Sequence, residues 1–443
     1  MAGYKNLFNT LNVKTVLAAG PPQMPIVETI MEQCPLSLLQ IPSVNQLLSL
    51  SYPHYAFDKY FEQARDEPLL VLHTSGTTAL PKPIIITHDW VASWCRATQL
   101  EPPPGTESLD RLHQGNRMLV MMPPFHAGNL MPSLFDAVCN QTTIIFPLPD
   151  AILSPDHFHD HFAGCIQHAR ADIALLPAGM IHEIAKNRAL LDLAAQHLEY
   201  LFYTGGDVAE PYGDAVASRL KLFNVNGATE MASYPALRPA GPWNHSAWKY
   251  IMVHPSSGID FRCHSWDAGD AKYAAVIVRN ADPADRQPVF AVYPHLNEYH
   301  SGDLYSPHPS APGLWTYRGR ADDCFVLVTG SNINPLAMEH AVVVHPLVRA
   351  ALMFGQRRSR PGLLLELESG NEDLSDEELI EQLWPAVEEG NREYYEQARV
   401  GRDCILFTTK GKPMRRAAKG TVQRRPTLDA YAGEVEEFYQ RLG

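Results

Sequence analysis

The sequence predicts an α/β protein: a large N-terminal domain with mostly parallel sheet and crossover helices, then a small C-terminal α+β domain. Three observations predict it. Short apolar runs of strand character alternate with helix-like segments through the first half of the chain, and strands returning parallel to their neighbours need such crossovers. Several runs end in Gly, His or hydroxyl residues, where open α/β sheets meet ligands. From residue 324 onward the composition turns more densely charged.

Residues 14–19 and 26–31 read as a strand and a helix separated by Pro21 and Pro22. Residues 41–48 make a second short strand-to-helix passage. The apolar run 69–72 feeds a polar loop, Thr74, Ser75, Gly76, Thr77 and Thr78, followed by Pro81, Lys82, Pro83 and a β-branched run 84–87. This reads as strand, phosphate loop, strand. Hydroxyls, a glycine and a cation within nine residues suit a polyphosphate. Backbone N–H groups and hydroxyls donate to its oxygens, glycine permits close approach, and Lys82 offsets charge. The loop lacks the Gly-Lys-Ser/Thr of a Walker loop. The plainer reading is a Ser/Thr-rich turn.

Residues 93–100 are helical in pattern and 101–116 form a polar, Pro-rich loop. The strand-like run 118–122 ends in Pro123, Pro124, Phe125 and His126. Strand, helix and strand follow at 142–146, 156–170 and 173–177. The run 200–204 ends in Gly205 and Gly206, which would let a flat ligand approach the backbone. Residues 222–225 lead into Asn226, Gly227, Ala228, Thr229 and Glu230. Residues 243–255 and 274–280 suggest antiparallel β structure with aromatics. Beyond them, 326–328 and 363–367 read as strands and 335–344 as a helix. Residues 375–389 form a helix with a Ser cap and an acidic first turn, and the tail 430–442 is helix-like.

Composition excludes several classes. A chain of 443 residues, 45% hydrophobic and 19% charged, is ordinary for a soluble globular protein of two or three domains. A net charge of −13 argues against general nucleic-acid or anionic-membrane binding. The seven cysteines are scattered, with no CxxC pair and no metal-ligand spacing. Reduced thiols and a cytoplasmic location are expected. There is no signal-peptide pattern, and no apolar run approaches the roughly 20 residues that span a bilayer.

The string TSGTTALPK, residues 74–82, resembles the phosphate loop of the adenylate-forming superfamily of acyl-CoA synthetases, luciferases and adenylation domains of nonribosomal peptide synthetases. Ala79 stands where that family usually has glycine. NGATE, residues 226–230, resembles its second signature. By that match Thr229 meets the α-phosphate and Glu230 helps hold Mg²⁺, while Asn226 replaces an aromatic that stacks on adenine. HSGD, residues 300–303, and GRADD, residues 319–323, match two further motifs. They imply that Asp303 accepts from the ribose hydroxyls, that Arg320 reaches ribose or phosphate beside Tyr317, and that Asp322 is a hinge. The hinge divides the chain into an adenylation core, 1–321, and a mobile domain, 322–443. AAKG, residues 417–420, resembles the terminal motif of a mobile catalytic lysine. Lys419 is chosen for it, with Lys412 and Lys410 as fallbacks. Phe125, His126, Tyr203, Gly205 and Met231 are implied for the acyl pocket, with His126 also closing over AMP.

HSGDLYSPHP with LWTYRGRADD, TGSNINP at 329–335 and AAKGTVQR at 417–424 resemble fungal synthetase-like enzymes and carboxylic acid reductases. Ser331 and Asn332 stand where those relatives carry charges. The phosphate loop arrives early, so the core domain is expected to be N-terminally shortened. The resemblance implies ATP- and Mg²⁺-dependent activation of a carboxylic acid, an aryl acid by branch. The acyl group would then pass to a phosphopantetheine carrier in trans, in secondary metabolism. The alternatives are an acyl-CoA ligase using free CoA and a non-catalytic nucleotide-binding remnant. With no carrier serine motif and no GxGxxG, this chain alone is expected to reduce nothing.

Overall fold

The computed structural model describes residues 2–19, 24–74, 81–147, 155–267, 270–282, 285–371, 374–417 and 419–442. The chain forms two compact units, residues 1–90 and 91–443.

In the first unit, strands Thr15–Ala18 and Ser37–Gln40 pair in parallel. Helix Pro25–Gln33 makes the crossover between them, with proline in its first turn, where the ring costs no hydrogen bond. An antiparallel hairpin follows, Pro68–Thr74 against Lys82–Thr87. Ile84 and Ile86 are buried while Ile85 is exposed, the two-residue period of a half-covered strand. Thr74 and Lys82 face each other across the last rung. The phosphate-loop residues Ser75, Gly76, Thr77, Thr78 and Ala79 lie outside the described residues.

The second unit holds a five-stranded parallel sheet. Its order is Lys221–Val225, Tyr200–Thr204, Ile173–Pro177, Arg117–Val120, Thr143–Ile145. Every residue of Ile173–Pro177 is buried, as a central strand covered on both faces requires. One face packs Phe162, Ile166, Ile181, Leu201 and Trp248 beneath helices. The other packs Leu109, Met118, Val120, Phe202 and Phe223. The sheet and crossovers are those the alternating pattern predicts.

Beside it lies a seven-stranded antiparallel sheet. Its order is Ile259–Asp267, Asp270–Val278, Glu298–Pro307, Trp315–Arg320, Tyr250–Val253, Ala236–Pro239, Thr106–Ser108. Ile251, Ala275, Ile277, Phe290 and Tyr305 form its core. A further core draws only on residues from Phe325 onward. There a three-stranded sheet, Val348–Phe354, Gly362–Leu367 and Ile405–Phe407, packs with helices Leu336–Val343 and Asp376–Asn391.

One expectation is corrected. Cys95 and Cys139 form a disulfide, although all thiols were expected reduced. Their separation of 44 residues hides that helices His88–Thr98 and Ala137–Cys139 bring them together. Cys34, Cys165, Cys263, Cys324 and Cys404 are outside any disulfide. Among the described residues no helix is long and apolar enough to cross a membrane.

The predicted serine cap is present. Ser375 Oγ accepts from Glu378 N at 3.3 Å, and the Glu378 carboxylate accepts from Ser375 N at 2.9 Å. Replacing Ser375 by Ala removes one half of this box and is expected to cost about 1 kcal/mol, read by urea unfolding.

Candidate active site

Two parallel strands end side by side at the carboxyl edge of the five-stranded sheet. Thr204 and Val225 are register partners, and Thr204 Oγ1 donates to Val225 O at 2.7 Å. The chain then turns at Gly205, whose φ of +77° favours glycine. The Gly205 carbonyl accepts a hydrogen bond from Lys419 Nζ at 2.6 Å.

Lys419 sits in a tight turn of the C-terminal part. Ala417 N donates to Thr421 O, Gly420 N donates to Ala417 O, and Arg416 bridges Val422. Burial pushes the Lys419 ammonium below its ordinary pKa, and the positive charge of Arg320 pushes the same way. Lys419 is thus the lysine brought to the sheet. The fallback Lys412 instead pairs with Glu434, away from the site.

Beyond Asn226 the chain forms a miniature hairpin, Gly227–Ala228 against Ala232–Ser233, with Thr229, Glu230 and Met231 at its tip. Gly227 is sterically required, because a Cβ there would lie 2.4 Å from Ala232 O. The Asn226 carbonyl accepts from Tyr234 N at 2.9 Å. Its side-chain Nδ2 is buried and has no hydrogen-bond partner among the described residues. Glu230 faces Tyr299, whose phenol is pushed up by burial first and by the Glu230 charge next.

On the antiparallel sheet Asp303 and Arg320 are cross-strand partners, with Oδ1 and Nη1 3.3 Å apart. Asp303 N also donates to Ser301 Oγ at 3.0 Å. Burial raises the Asp303 carboxyl to about 6, against the lowering effect of Arg320. Arg320 also meets Asp322 at 3.2 Å. Tyr317 neighbours Asp303 and Arg320, and burial holds its phenol protonated far above the usual range. Arg320 thus pairs with Asp303 beside Tyr317, and its charge also reaches Lys419.

His126 caps helix Ala127–Met131, its Nδ1 accepting from Gly128 N at 2.9 Å. That bond leaves the ring proton on Nε2. Phe125 beside it is 61% exposed, enough for its ring to meet a ligand. Met231 is buried and borders a small cavity with Ser93, Ala97 and Ser233. Tyr203 is a correction. It was expected in the acyl pocket, but along Tyr200–Thr204 it shares the face of Leu201, fully buried in the helix-covered core with its ring near Trp248. The two-residue period of a strand turns it away from a ligand at the sheet's edge. Thr74 and Lys82 belong to the other compact unit, residues 1–90.

Two contacts without any motif hold the C-terminal part against the parallel-sheet part, with His182 packed beside them. Tyr212 Oη donates to Val343 O at 3.2 Å, satisfying a carbonyl in the last turn of helix Leu336–Val343. Lys186 Nζ meets Glu368 Oε1 at 3.2 Å. His182 packs on the Tyr212 ring and accepts from Ala209 N at 3.2 Å. Burial, with His340 and Lys186 nearby, pushes its imidazole down to about 3, so it stays neutral. Nothing in their spacing marks these residues in the sequence.

Residues 11–250 match the family described as AMP-binding enzyme, and residues 322–443 match the AMP-binding enzyme C-terminal domain. A carboxylic acid reductase from Neurospora crassa is 28% identical over 441 residues, covering 98% of this chain and 41% of the relative. Adenylate-forming reductase Nps10 from Heterobasidion annosum is 29% identical over 383 residues, covering 85% of this chain and 34% of the relative. The chain thus spans well under half the length of these relatives. Among solved structures, a benzoate CoA ligase from Burkholderia xenovorans is similar, with a TM-score of 0.68 at 18% identity over 96% of this chain and 81% of that one.

The seat of Lys419 is open to test. A Cβ on Gly205 would lie 2.9 Å from Lys419 Nζ and at a backbone angle unsuited to a side chain. Gly205→Ala should unseat the lysine, so amine-reactive labelling of Lys419, mapped by mass spectrometry, should rise while other lysines keep their rates.

Proposed function

The chain belongs to the AMP-binding enzyme family, the adenylate-forming ligases, and from that premise we propose that it activates a carboxylic acid with ATP. The observation that carries the proposal is Lys419 seated on the Gly205 carbonyl with Arg320 and Asp303 beside it.

A carboxylate oxygen attacks the α-phosphorus, a P–O bond to the bridging oxygen breaks, and pyrophosphate leaves with the electron pair. The acyl group remains as an acyl-adenylate. The reaction needs in-line positioning and charge stabilisation rather than a protein nucleophile. The Lys419 ammonium has three donors, of which one is given to Gly205, and the others face developing negative charge. Arg320 and Thr229 add to that field, and by their sequence motif Thr74 and Lys82 are phosphate contacts. Asp303 accepts from the ribose hydroxyls, a strong role for a carboxylate.

Among the described residues no three His, Cys, Asp or Glu side chains cluster as a metal cage. Glu230, a single carboxylate at a hairpin tip, fits an ion carried on the nucleotide. Mg²⁺ takes one or two carboxylates beside phosphate oxygens and water, and when bound it would neutralise phosphate charge.

An aryl acid is the favoured substrate. Phe125 and His126 offer aromatic contact, and a benzoate CoA ligase shares the fold. The acceptor is a phosphopantetheine thiol on a carrier, with residues 322–443 moving about Asp322 between the two half-reactions. A role in cytoplasmic secondary metabolism completes the reading. A second reading, transfer to free CoA, is favoured by the same structural likeness.

Acid-dependent ATP–pyrophosphate exchange across benzoic, arylpyruvic, amino and fatty acids tests the proposal. Exchange is expected with aryl acids, and its absence for every acid in an ATP-binding sample contradicts it. Lys419→Ala should slow exchange by at least about 100-fold, the scale of removing one transition-state donor, with an unchanged circular dichroism spectrum. ATP binding should also weaken as pH falls through about 6, because Asp303 then takes up a proton and accepts more weakly. Calorimetry should show that slope in the wild type and not in Asp303→Asn.

A further inference from the structure

We propose that Glu366 is a positioning residue for Lys419: its buried carboxylate fixes the base of the loop that carries the lysine to Gly205. The inference rests on the role given to Lys419 above and adds a residue that acts through it.

Glu366 breaks the pattern of its strand. It follows the buried residues Leu363, Leu364 and Leu365 in the middle strand of the three-stranded sheet, and it is itself only 6% exposed. A carboxylate so enclosed is costly unless hydrogen bonds and opposite charge hold it. On one side Glu366 is partnered by Ala350. On the other, strand Ile405–Phe407 pairs no further than Leu365 with Phe407. The carboxylate is met instead by residues 414–416. Oε2 accepts from Met414 N at 2.8 Å, and both oxygens accept from Arg416 Nη1 at 3.1 Å. The same guanidinium nitrogen donates to Met414 O at 3.2 Å, which closes a ring around Met414. Arg349 Nε stands 3.8 Å from Oε1.

These partners come just before Lys419, in a stretch without helix or paired strand up to Arg416. Arg416 bridges Val422, and Ala417 N donates to Thr421 O at 2.9 Å. The two legs of the loop are therefore tied to each other, with Lys419 between them. Thr427 Oγ1 accepts from Arg415 N at 3.0 Å, but Thr427 lies in the segment that follows the loop. Glu366 ties the loop to the sheet. Without that tie the turn can persist while the lysine shifts off the Gly205 carbonyl. A misplacement of about 1 Å can cost up to roughly 100-fold in rate.

The test is a double-mutant cycle in ATP–pyrophosphate exchange, run with an acid that supports exchange, beside amine-reactive labelling of Lys419. Glu366→Leu should exchange about tenfold more slowly with an unchanged KM for ATP, part of the cost of a misplaced group. Its Lys419 should label faster, while lysines outside the loop keep their rates. In a Lys419→Ala background the same substitution should slow exchange no further, because its effect passes through the lysine. If Glu366→Leu does not fold, Glu366→Gln keeps an acceptor for Met414 N and gives up the charge that holds Arg416. It should show both effects at smaller size. Wild-type labelling of Lys419 in the folded variant overturns the inference. So does an equal loss of exchange with and without Lys419, the mark of a purely structural role. A wild-type chain that exchanges with no acid contradicts the proposed function instead, and the labelling then decides this inference by itself.

Discussion

The hydrogen bond from the Lys419 ammonium to the Gly205 carbonyl is the interaction on which the rest of the site depends. It joins a turn from the C-terminal core to the carboxyl edge of the parallel sheet. By itself it is a poor bargain. The ammonium is partly desolvated, its pKa is lowered, and Arg320 repels it. One carbonyl does not offset that cost in a neighbourhood of low dielectric. The pose is therefore held from elsewhere: by Tyr212 on the end of helix Leu336–Val343, by Lys186 on Glu368, and by Thr421 packed close to Gly206. His182 stays neutral beside them and adds no further repulsion to Lys186 and His340.

The charges left over define the ligand. Lys419 and Arg320 repel one another, Arg320 is paired with Asp303, and burial raises that carboxylate to about 6. Such a group is strained toward neutrality and is relieved by a polyanion carrying hydroxyls. Preorganised charge of this kind costs stability in the resting protein and is repaid in the transition state.

Much of the fold was legible in the sequence because it follows period and punctuation. The strand expected at 173–177 is Ile173–Pro177, and the helix from 375 carries its Ser375 cap. The antiparallel sheet was only half visible. Its strands Glu298–Pro307 and Trp315–Arg320 carry the polar site residues, and those broke the apolar alternation that marks a strand. Asp303, Arg320 and Lys419 were singled out by resemblance to family motifs, and the structure sets Arg320 against Asp303 and Lys419 against the Gly205 carbonyl. Tyr203 was misplaced because nearness in sequence to Gly205 ignored which face of the strand it occupies. Tyr212, Lys186 and the Cys95–Cys139 link depend on tertiary proximity alone, which no local pattern encodes.

The central claim is that the pose with Lys419 on Gly205 is the one that makes the adenylate. Gly206 and Thr421 offer a direct way to fix it, since a Cβ on Gly206 would lie 3.6 Å from Thr421 Cγ2. Gly206→Cys combined with Thr421→Cys, oxidised to a disulfide, locks the two parts together. The measurement is single-turnover formation of acyl-adenylate from ATP and a competent acid. The account predicts that the locked protein forms adenylate in a burst near the rate of its reduced form, then fails to pass the acyl group to a thiol. A locked protein that forms no adenylate, and recovers on reduction, would contradict it.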